Sequence, residues 1–316
     1  MLGTMKILML GYRDAGKTTY MASAYGMLKR GVKGFYVKGS DDDDSWLSGL
    51  YQSICQGRYP LLTDKRGTFK MDLYYYAKLV LPFEWVDYYG GVITEEKSAQ
   101  LLTDMDESDG LMMFFEAPAL VNGNENVTQL RRMLYLVAKK LITLQDYFTV
   151  IVVLTKCDLL SPGISVDEAS AALSKFVSSA DGNEKIYLRV VPVSCTARGF
   201  ANVDLPLLDI LDSGLQISCL QIAQKVQQAA VEAVERASNI GFFDWAFSRI
   251  AGVETNGEIA TRRAKEANEQ LDLFQSLKTP MEELSEYVSS YEVQLPESMA
   301  PPNDKQHVHA SSVFDI

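Results

Sequence analysis

The chain has 316 residues, 47% of them hydrophobic, with a formal charge of −11 and four cysteines. That length and composition give one large globular domain, or one domain with an appendage, able to fold without disulfide or metal staples. The negative charge disfavours broad electrostatic attachment to nucleic acid or anionic lipid, so no nucleic-acid partner is expected.

Cys55, Cys157, Cys195 and Cys219 stand far apart, and His307 and His309 both lie near the C-terminus. No short metal-ligand spacing exists among them, and the pattern fits a reducing, cytoplasmic setting. The apolar run from Ile7 to Leu10 is far shorter than a bilayer span and lacks the features of a secretory signal, so no stable membrane insertion is expected.

In chain order, Lys6 to Leu10 reads as a strand that ends in glycine, and Lys17 to Lys29 as a helix. The run Asp41 to Asp44 reads as a solvated loop or a helix start rather than a cation site. Thr68 to Ala77 and Leu79 to Tyr88 are rich in β-formers and close enough for an antiparallel hairpin. Strands follow at Gly110 to Glu116, Phe148 to Leu154 and Tyr187 to Val193. Helices are expected at Glu95 to Met105, Val127 to Leu144 and Val166 to Ser179. This alternation predicts an α/β fold with a mostly parallel six-stranded sheet, one antiparallel hairpin, and helices on both faces.

After about Leu205 the strands stop. Leu215 to Ala237 and Gly257 to Tyr291 read as helices, separated by Asn239-Ile240-Gly241 and an aromatic cluster of Phe242, Phe243, Trp245 and Phe247. Leu220, Ile222, Ala223, Val226 and Ala230 recur at helical spacing, which predicts a stripe packed within the protein. The aromatic cluster is dense enough to cap a domain or to dock on a partner.

Gly11-Tyr12-Arg13-Asp14-Ala15-Gly16-Lys17-Thr18 fits G-x-x-x-x-G-K-[ST] in full, between a strand and a helix. Glycines let such a loop curl its N–H groups toward phosphate oxygens, and the helix N-terminus adds a favourable dipole. Lys17 would neutralise the β and γ phosphates, and the Thr18 hydroxyl would reach Mg2+.

Asp87 ends an apolar strand, and Gly90 follows three residues on. In that spacing the carboxylate can hold magnesium through water while the glycine N–H reaches a γ-phosphate. Thr155-Lys156-Cys157-Asp158 follows the strand ending at Leu154. An aspartate there accepts hydrogen bonds from N1 and N2 of guanine, which adenine lacks. Ser194-Cys195-Thr196-Ala197 follows the last strand, where a backbone N–H could meet the guanine O6.

These segments, in this order, resemble the five signature segments of the Ras-like P-loop GTPases and cover roughly Lys6 to Ala197. The resemblance implies GTP or GDP with Mg2+ as cofactors, slow GTP hydrolysis, a nucleotide-controlled switch, and a protein effector or regulator as partner. By position, Lys17 and Thr18 match the phosphate and magnesium contacts, Asp87 the water-linked magnesium ligand, and Lys156 with Asp158 the base-reading pair. The threonine that senses the γ-phosphate falls at Thr63, with Thr68 as the alternative.

The resemblance therefore implies Lys17, Thr63 and Gly90 as the catalytic set and Thr18, Thr63 and Asp87 as the metal set. The nucleotide-binding set is Gly11, Asp14, Ala15, Gly16, Lys17, Thr18, Thr19, Lys156, Asp158, Ser194, Cys195 and Thr196. It also implies a Ras-like GTP-binding domain over residues 1–213; the helical spacing beyond it gives a helical extension over 214–295, and Pro301-Pro302, Asn303-Asp304 and Ser311-Ser312 with little periodicity give a flexible tail over 296–316. The phrase Tyr59-Pro60-Leu61-Leu62-Thr63 resembles one in a bacterial group called double-GTPases, which adds a second GTPase to the candidate partners.

Four departures stand out. Gly91 occupies the place where many Ras-like enzymes carry a glutamine that orients the attacking water, so intrinsic hydrolysis should be slow or absent. Glu95 and Glu96 suit the dipole of a helix start better than catalysis. Arg13 reads as solvent-facing or salt-bridged rather than as a guanidinium acting on phosphate, and Asp14 as a carboxylate bonded to nearby backbone N–H groups. Cys157 and Cys195 read as small packing residues rather than as modification points.

Overall fold

A computed structural model describes residues 2–60, 67–87, 95–122, 127–161, 163–180, 182–197, 199–238 and 256–294. The expected aromatic cluster and the tail lie outside these residues. The chain divides into two compact units, one of Leu2–Gly214 together with the chain from Ser285 onward, the other of Leu215–Leu284.

The first unit opens with β1 (Met5–Gly11), α1 (Lys17–Leu28), β2 (Phe35–Gly39) and α2 (Asp41–Cys55). The hairpin β3 (Gly67–Tyr75) and β4 (Lys78–Asp87) follows, then α3 (Glu95–Asp106), β5 (Gly110–Glu116), α4 (Ala117–Asn122) and α5 (Val127–Thr143). Next come β6 (Phe148–Thr155), a single 3-10 turn (Cys157–Leu159), α6 (Val166–Ala171), α7 (Ser174–Ala180) and β7 (Ile186–Pro192). The small hairpin β8 (Ser194–Thr196) and β9 (Gly199–Ala201) precedes two long helices, α8 (Leu205–Ser238) and α9 (Asn256–Ser289).

The fold class is the expected α/β arrangement with a mostly parallel sheet and one antiparallel hairpin, here seven-stranded in the order β2-β3-β4-β1-β5-β6-β7. β4, β1, β5, β6 and β7 run parallel, while β3 is antiparallel to both β4 and β2. The strand beyond the six predicted is β2. Its Phe35-Tyr36-Val37-Lys38-Gly39 is short and flanked by glycine, so its extended form depends on pairing with β3 rather than on local propensity.

Strands β5 and β6 are buried along almost their whole length, as expected for parallel strands covered on both faces. Helix α1 is nearly as enclosed, burying Tyr20, Met21, Ala22, Ala24, Tyr25 and Leu28. Each of the larger of these side chains contributes roughly 1.5–3 kcal/mol through removal from water, and each alanine about 0.8 kcal/mol. Tyr20 meets Trp85 of β4 edge-on, with ring centroids 6.1 Å apart, which fixes α1 over the strand that carries Asp87.

The acidic run is a helix start: Ser40 caps α2 by accepting from the Asp43 N–H, and Asp41 to Asp44 fill its first turn. The single helix expected over Val166 to Ser179 is two. α6 begins at a capping box of Ser165 and Glu168, and the chain re-forms as α7 beyond Leu173. Helix α8 starts at Leu205 rather than Leu215. Leu205, Leu207, Leu208, Ile210 and Leu211 belong to the core of the first unit.

The second unit holds the remainder of α8 and α9 to Leu284. The predicted stripe is displaced: Leu220 is 43% exposed and Ala223 is exposed, whereas Leu215, Cys219 and Ile222 are buried. Spacings of four and three residues carry that face, which places it one position away from the stripe read from hydropathy alone. The Ala230 side chain lies outside the described set. Among the described residues, no helix is long and apolar enough to cross a membrane.

Candidate functional site

The parallel strands β1, β4, β5, β6 and β7 end on one edge of the sheet, and the segments singled out in the sequence follow those ends. Crevices outside the carboxyl ends of such strands are where open α/β sheets bind ligands.

The loop from Gly11 to Thr18 connects β1 to α1. Asp14 has φ 66° and Gly16 has φ 82°, so two left-handed residues curl the backbone immediately before the helix. Such curls make anion-binding concavities out of successive backbone N–H groups. A Cβ at Gly11 would come within 2.9 Å of the Phe114 carbonyl oxygen, so the close approach of β1 to β5 needs glycine there. Lys17 Nζ donates to the carbonyls of Gly11 at 3.0 Å and Tyr12 at 3.5 Å, which holds the ammonium over the loop. Burial lowers its pKa, against the pull of Asp87 and Asp14.

Arg13 and Asp14 are exposed. The expected bond from a backbone N–H to the Asp14 carboxylate is not found among the described residues, and the contribution of Asp14 to the loop is its left-handed turn. Thr18 and Thr19 lie in the first turn of α1, both half-buried. The Thr19 carbonyl accepts from Ser23 Oγ at 2.7 Å.

Asp87 sits at the end of β4, paired in register with Met9 of β1, and is 7% exposed. Its Oδ1 is buried without a hydrogen-bond partner among the described residues. Burial raises the carboxyl pKa to about 6, opposed by the nearby Lys17 charge. A buried, unsatisfied carboxylate oxygen costs on the order of 1–3 kcal/mol unless something pairs with it. Facing a phosphate loop, with the Thr18 hydroxyl at the start of α1, it fits the oxygen-donor set of a magnesium ion.

The segments Thr155–Asp158 and Ser194–Ala197 are held together by backbone. Val193 N–H donates to the Leu154 carbonyl at 2.7 Å, and Cys157 N–H to the Val193 carbonyl at 3.3 Å. Lys156 has φ 57°, a left-handed setting unusual for a lysine and typical of functional turns. Its ammonium pairs with Glu116 at 3.0 Å. Ser194 Oγ donates to Asp158 Oδ1 at 2.9 Å, so the last loop orients the carboxylate of the preceding one. Cys157 is buried and its thiol is pushed up to about 12 by that burial, as suits a packing residue; Cys195 is half-buried in β8 beside Thr196.

Three residues that sequence reasoning did not single out complete the site. Thr155 Oγ1 donates to the Ala15 carbonyl at 2.9 Å and lies 3.2 Å from the Phe115 carbonyl, tying the end of β6 to the Gly11–Thr18 loop. The Tyr12 hydroxyl accepts from the Glu116 N–H at 3.1 Å, and burial pushes its pKa up to about 12. Glu116 thus touches both loops. A polar residue at the mouth of an all-apolar strand was the available signal for Thr155 and for Glu116.

Thr63, Gly90 and Gly91 lie outside the described residues, as do Leu61 and Leu62 of the phrase that suggested the double-GTPase group. Thr68, the alternative switch residue, is the second residue of β3, opposite Val86. Among the described residues, no group of three or more His, Cys, Asp or Glu could by itself hold a metal ion.

No protein-family model matches the chain. No curated protein matches it either. Among solved structures, the signal recognition particle receptor SRb-GTP/SRX complex from Chaetomium thermophilum is similar, with 13% identity and a TM-score of 0.39, covering 62% of this chain and 92% of that one. A structure of the mammalian SRP receptor is similar at 14% identity and a TM-score of 0.36, covering 65% and 98%.

Proposed function

We propose that this chain binds GTP and GDP with Mg2+ and acts as a slow GTP hydrolase, a nucleotide-controlled switch on a protein partner. The observation that supports this most is Asp158: a carboxylate oriented by Ser194 at 2.9 Å, in the turn just past a strand whose Thr155 donates to the Ala15 carbonyl of the Gly11–Thr18 loop at 2.9 Å. Base reading and phosphate binding thereby share one hydrogen-bonded frame.

In this reading the backbone N–H groups of the Gly11–Thr18 loop and the Lys17 ammonium take the phosphates, and Asp158 accepts from guanine N1 and N2. Cys195 and Thr196 offer backbone near O6. Thr18, Asp87 and Thr63 would hold Mg2+, which supplies charge neutralisation between the β and γ phosphates. Thr63 and Gly90 are the positions that would sense the γ-phosphate and order or release their segments. The partner is a protein effector or regulator, a second GTPase among the candidates, and the cytoplasmic setting is supported by four free cysteines.

A second reading keeps the binding and drops the turnover. Gly91 in place of a water-orienting glutamine favours a module that holds GTP or GDP constitutively for assembly. Single-turnover assays with purified protein, GTP and Mg2+ separate the two. Slow, magnesium-dependent release of phosphate supports the switch; GTP retained intact over many hours, with the protein folded, supports the holding module. Stabilisation by ATP in preference to GTP would sink both.

A further inference from the structure

Asn202 follows the small hairpin directly and has φ 54°, a left-handed turn that asparagine tolerates. It is 3% exposed, and its amide joins nearby Pro192 to Gln294, 92 residues further along the chain. Its Nδ2 donates to the Pro192 carbonyl at 2.8 Å and to the Gln294 carbonyl at 2.7 Å, and its Oδ1 accepts from the Gln294 N–H at 2.7 Å.

The segment that Asn202 grips is the last stretch of the described chain. Tyr287 and Tyr291 donate their hydroxyls to the two oxygens of Asp204, at 2.5 Å and 3.1 Å. Ser285 Oγ donates to Asp212 at 2.7 Å, and Arg189 of β7 donates to the Val288 carbonyl at 3.4 Å. Asp204 and Asp212 are both 5% exposed. Residues 285–294 are therefore fastened to the rest of the first unit by part-buried polar bonds rather than by apolar contact alone.

The other end of this linkage is the base-reading loop. Ser194 pairs across the hairpin with Ala201, the neighbour of Asn202, and Ser194 is the residue that orients Asp158. Asp158 is connected to the C-terminal segment through Ser194, its cross-strand partner Ala201, and Asn202. Helix α8 begins three residues after Asn202 and stays in the first unit to Gly214.

We propose that residues 285–294 are a positioning strap for the guanine-reading loop: docked, they hold Asn202, and through β9 and Ser194 they hold Asp158 in its accepting orientation. The inference rests on the guanine-nucleotide reading above. Because binding free energies couple reciprocally, occupation of the base site must favour the docked strap to the same degree that the strap favours occupation. The span between Leu215 and Leu284 joins the first unit through Gly214 and through the strap. A protein that pulls on or seats that span thus acts on nucleotide affinity through its base end, independently of the γ-phosphate.

Hydrogen exchange of the full chain with GDP and Mg2+ or without them tests both steps. Expected is slower exchange in three places: Gly11–Thr18, Ser194–Thr196 and residues 285–294. Slowing at the first two alone overturns the strap while leaving nucleotide binding intact, and slowing nowhere overturns both readings. A Tyr287→Phe, Tyr291→Phe double variant, which frees Asp204 without touching the hairpin, should release GDP roughly tenfold faster. Asn202→Gly, which tolerates the left-handed turn, should do the same. Unchanged GDP release in both variants, with exchange at 285–294 accelerated, contradicts the proposal.

Discussion

Thr155→Val is the sharpest probe of the frame that joins phosphate binding to base reading. The side chain is 4% exposed, and its hydroxyl is the link from β6 to the phosphate loop at Ala15 and to β5 at Phe115. Valine nearly matches it in volume, so the change removes the polar contacts without opening a cavity. The Ala15 carbonyl loses a donor in a dry setting, a loss of roughly 1–3 kcal/mol. For a domain of this size that lowers Tm by about 4–8 °C at the middle of the range. Because the freed carbonyl belongs to the loop that cradles phosphate, part of the loss should appear in binding, as GDP affinity on the order of tenfold weaker. Calorimetry for affinity and thermal melting for stability measure the two separately. Thr149→Val, buried at the other end of the same strand, is the control: it should cost stability but leave GDP affinity in place. GDP affinity equal to wild type in Thr155→Val, or an equal drop in the control, would refute the link.

Other consequences are as direct. Gly26→Ala places a Cβ 2.2 Å from the Tyr51 ring between α1 and α2, and overpacking should cost about 1–3 kcal/mol in urea unfolding; no loss would mean that the two helices part freely. Glu116→Gln removes the partner of Lys156 and should speed GDP release severalfold with little change in Tm, since the pair is partly exposed; release at the wild-type rate would detach Glu116 from the site. The Cys157 thiol should resist alkylation at neutral pH while exposed Cys55 reacts, and labelling of both at one rate would contradict the burial. Burial raises Asp209 from 3.8 to about 6, against its bond with Arg189. A raised carboxyl favours the fold in its protonated form, so that contribution is present below about pH 4 and is lost as pH rises through 6. Relative to Asp209→Asn, wild type should lose about 3 kcal/mol of unfolding free energy across that window, and a flat difference would refute the assignment.

The gathering of the Gly11–Thr18 loop, Asp87 and the loops after β6 and β7 at one sheet edge was legible in the sequence because each couples a spacing to a strand end. A glycine-rich loop after an apolar run has few other uses. The hairpin β3–β4 was legible for a similar reason: its side chains alternate and are β-forming through most of their length. Strand β2 was not, because four residues between Gly34 and Gly39 carry little periodicity and are extended only by pairing with β3. The start of α8 at Leu205 was missed because Leu205 to Leu211 is apolar around most of its circumference, as a segment enclosed by its own domain must be, and shows no stripe. The same enclosure hid the strap. Asp204, Asp209 and Asp212 look like surface acids in sequence, and only the fold reveals Arg189, Ser285, Tyr287 and Tyr291 as their partners.

The measurement that tests the central reading most directly is a comparison of GDP, ADP and XDP affinities, each with Mg2+, for wild type and Asp158→Asn. A carboxylate at 158 accepts from guanine N1 and N2, whereas an amide there can donate to the 2-oxo group of xanthine. Wild type should bind GDP well over a hundredfold more tightly than ADP, and the variant should lose GDP and gain XDP. ADP bound as tightly as GDP, or GDP affinity untouched by Asp158→Asn, would show that the loop after β6 does not read the base.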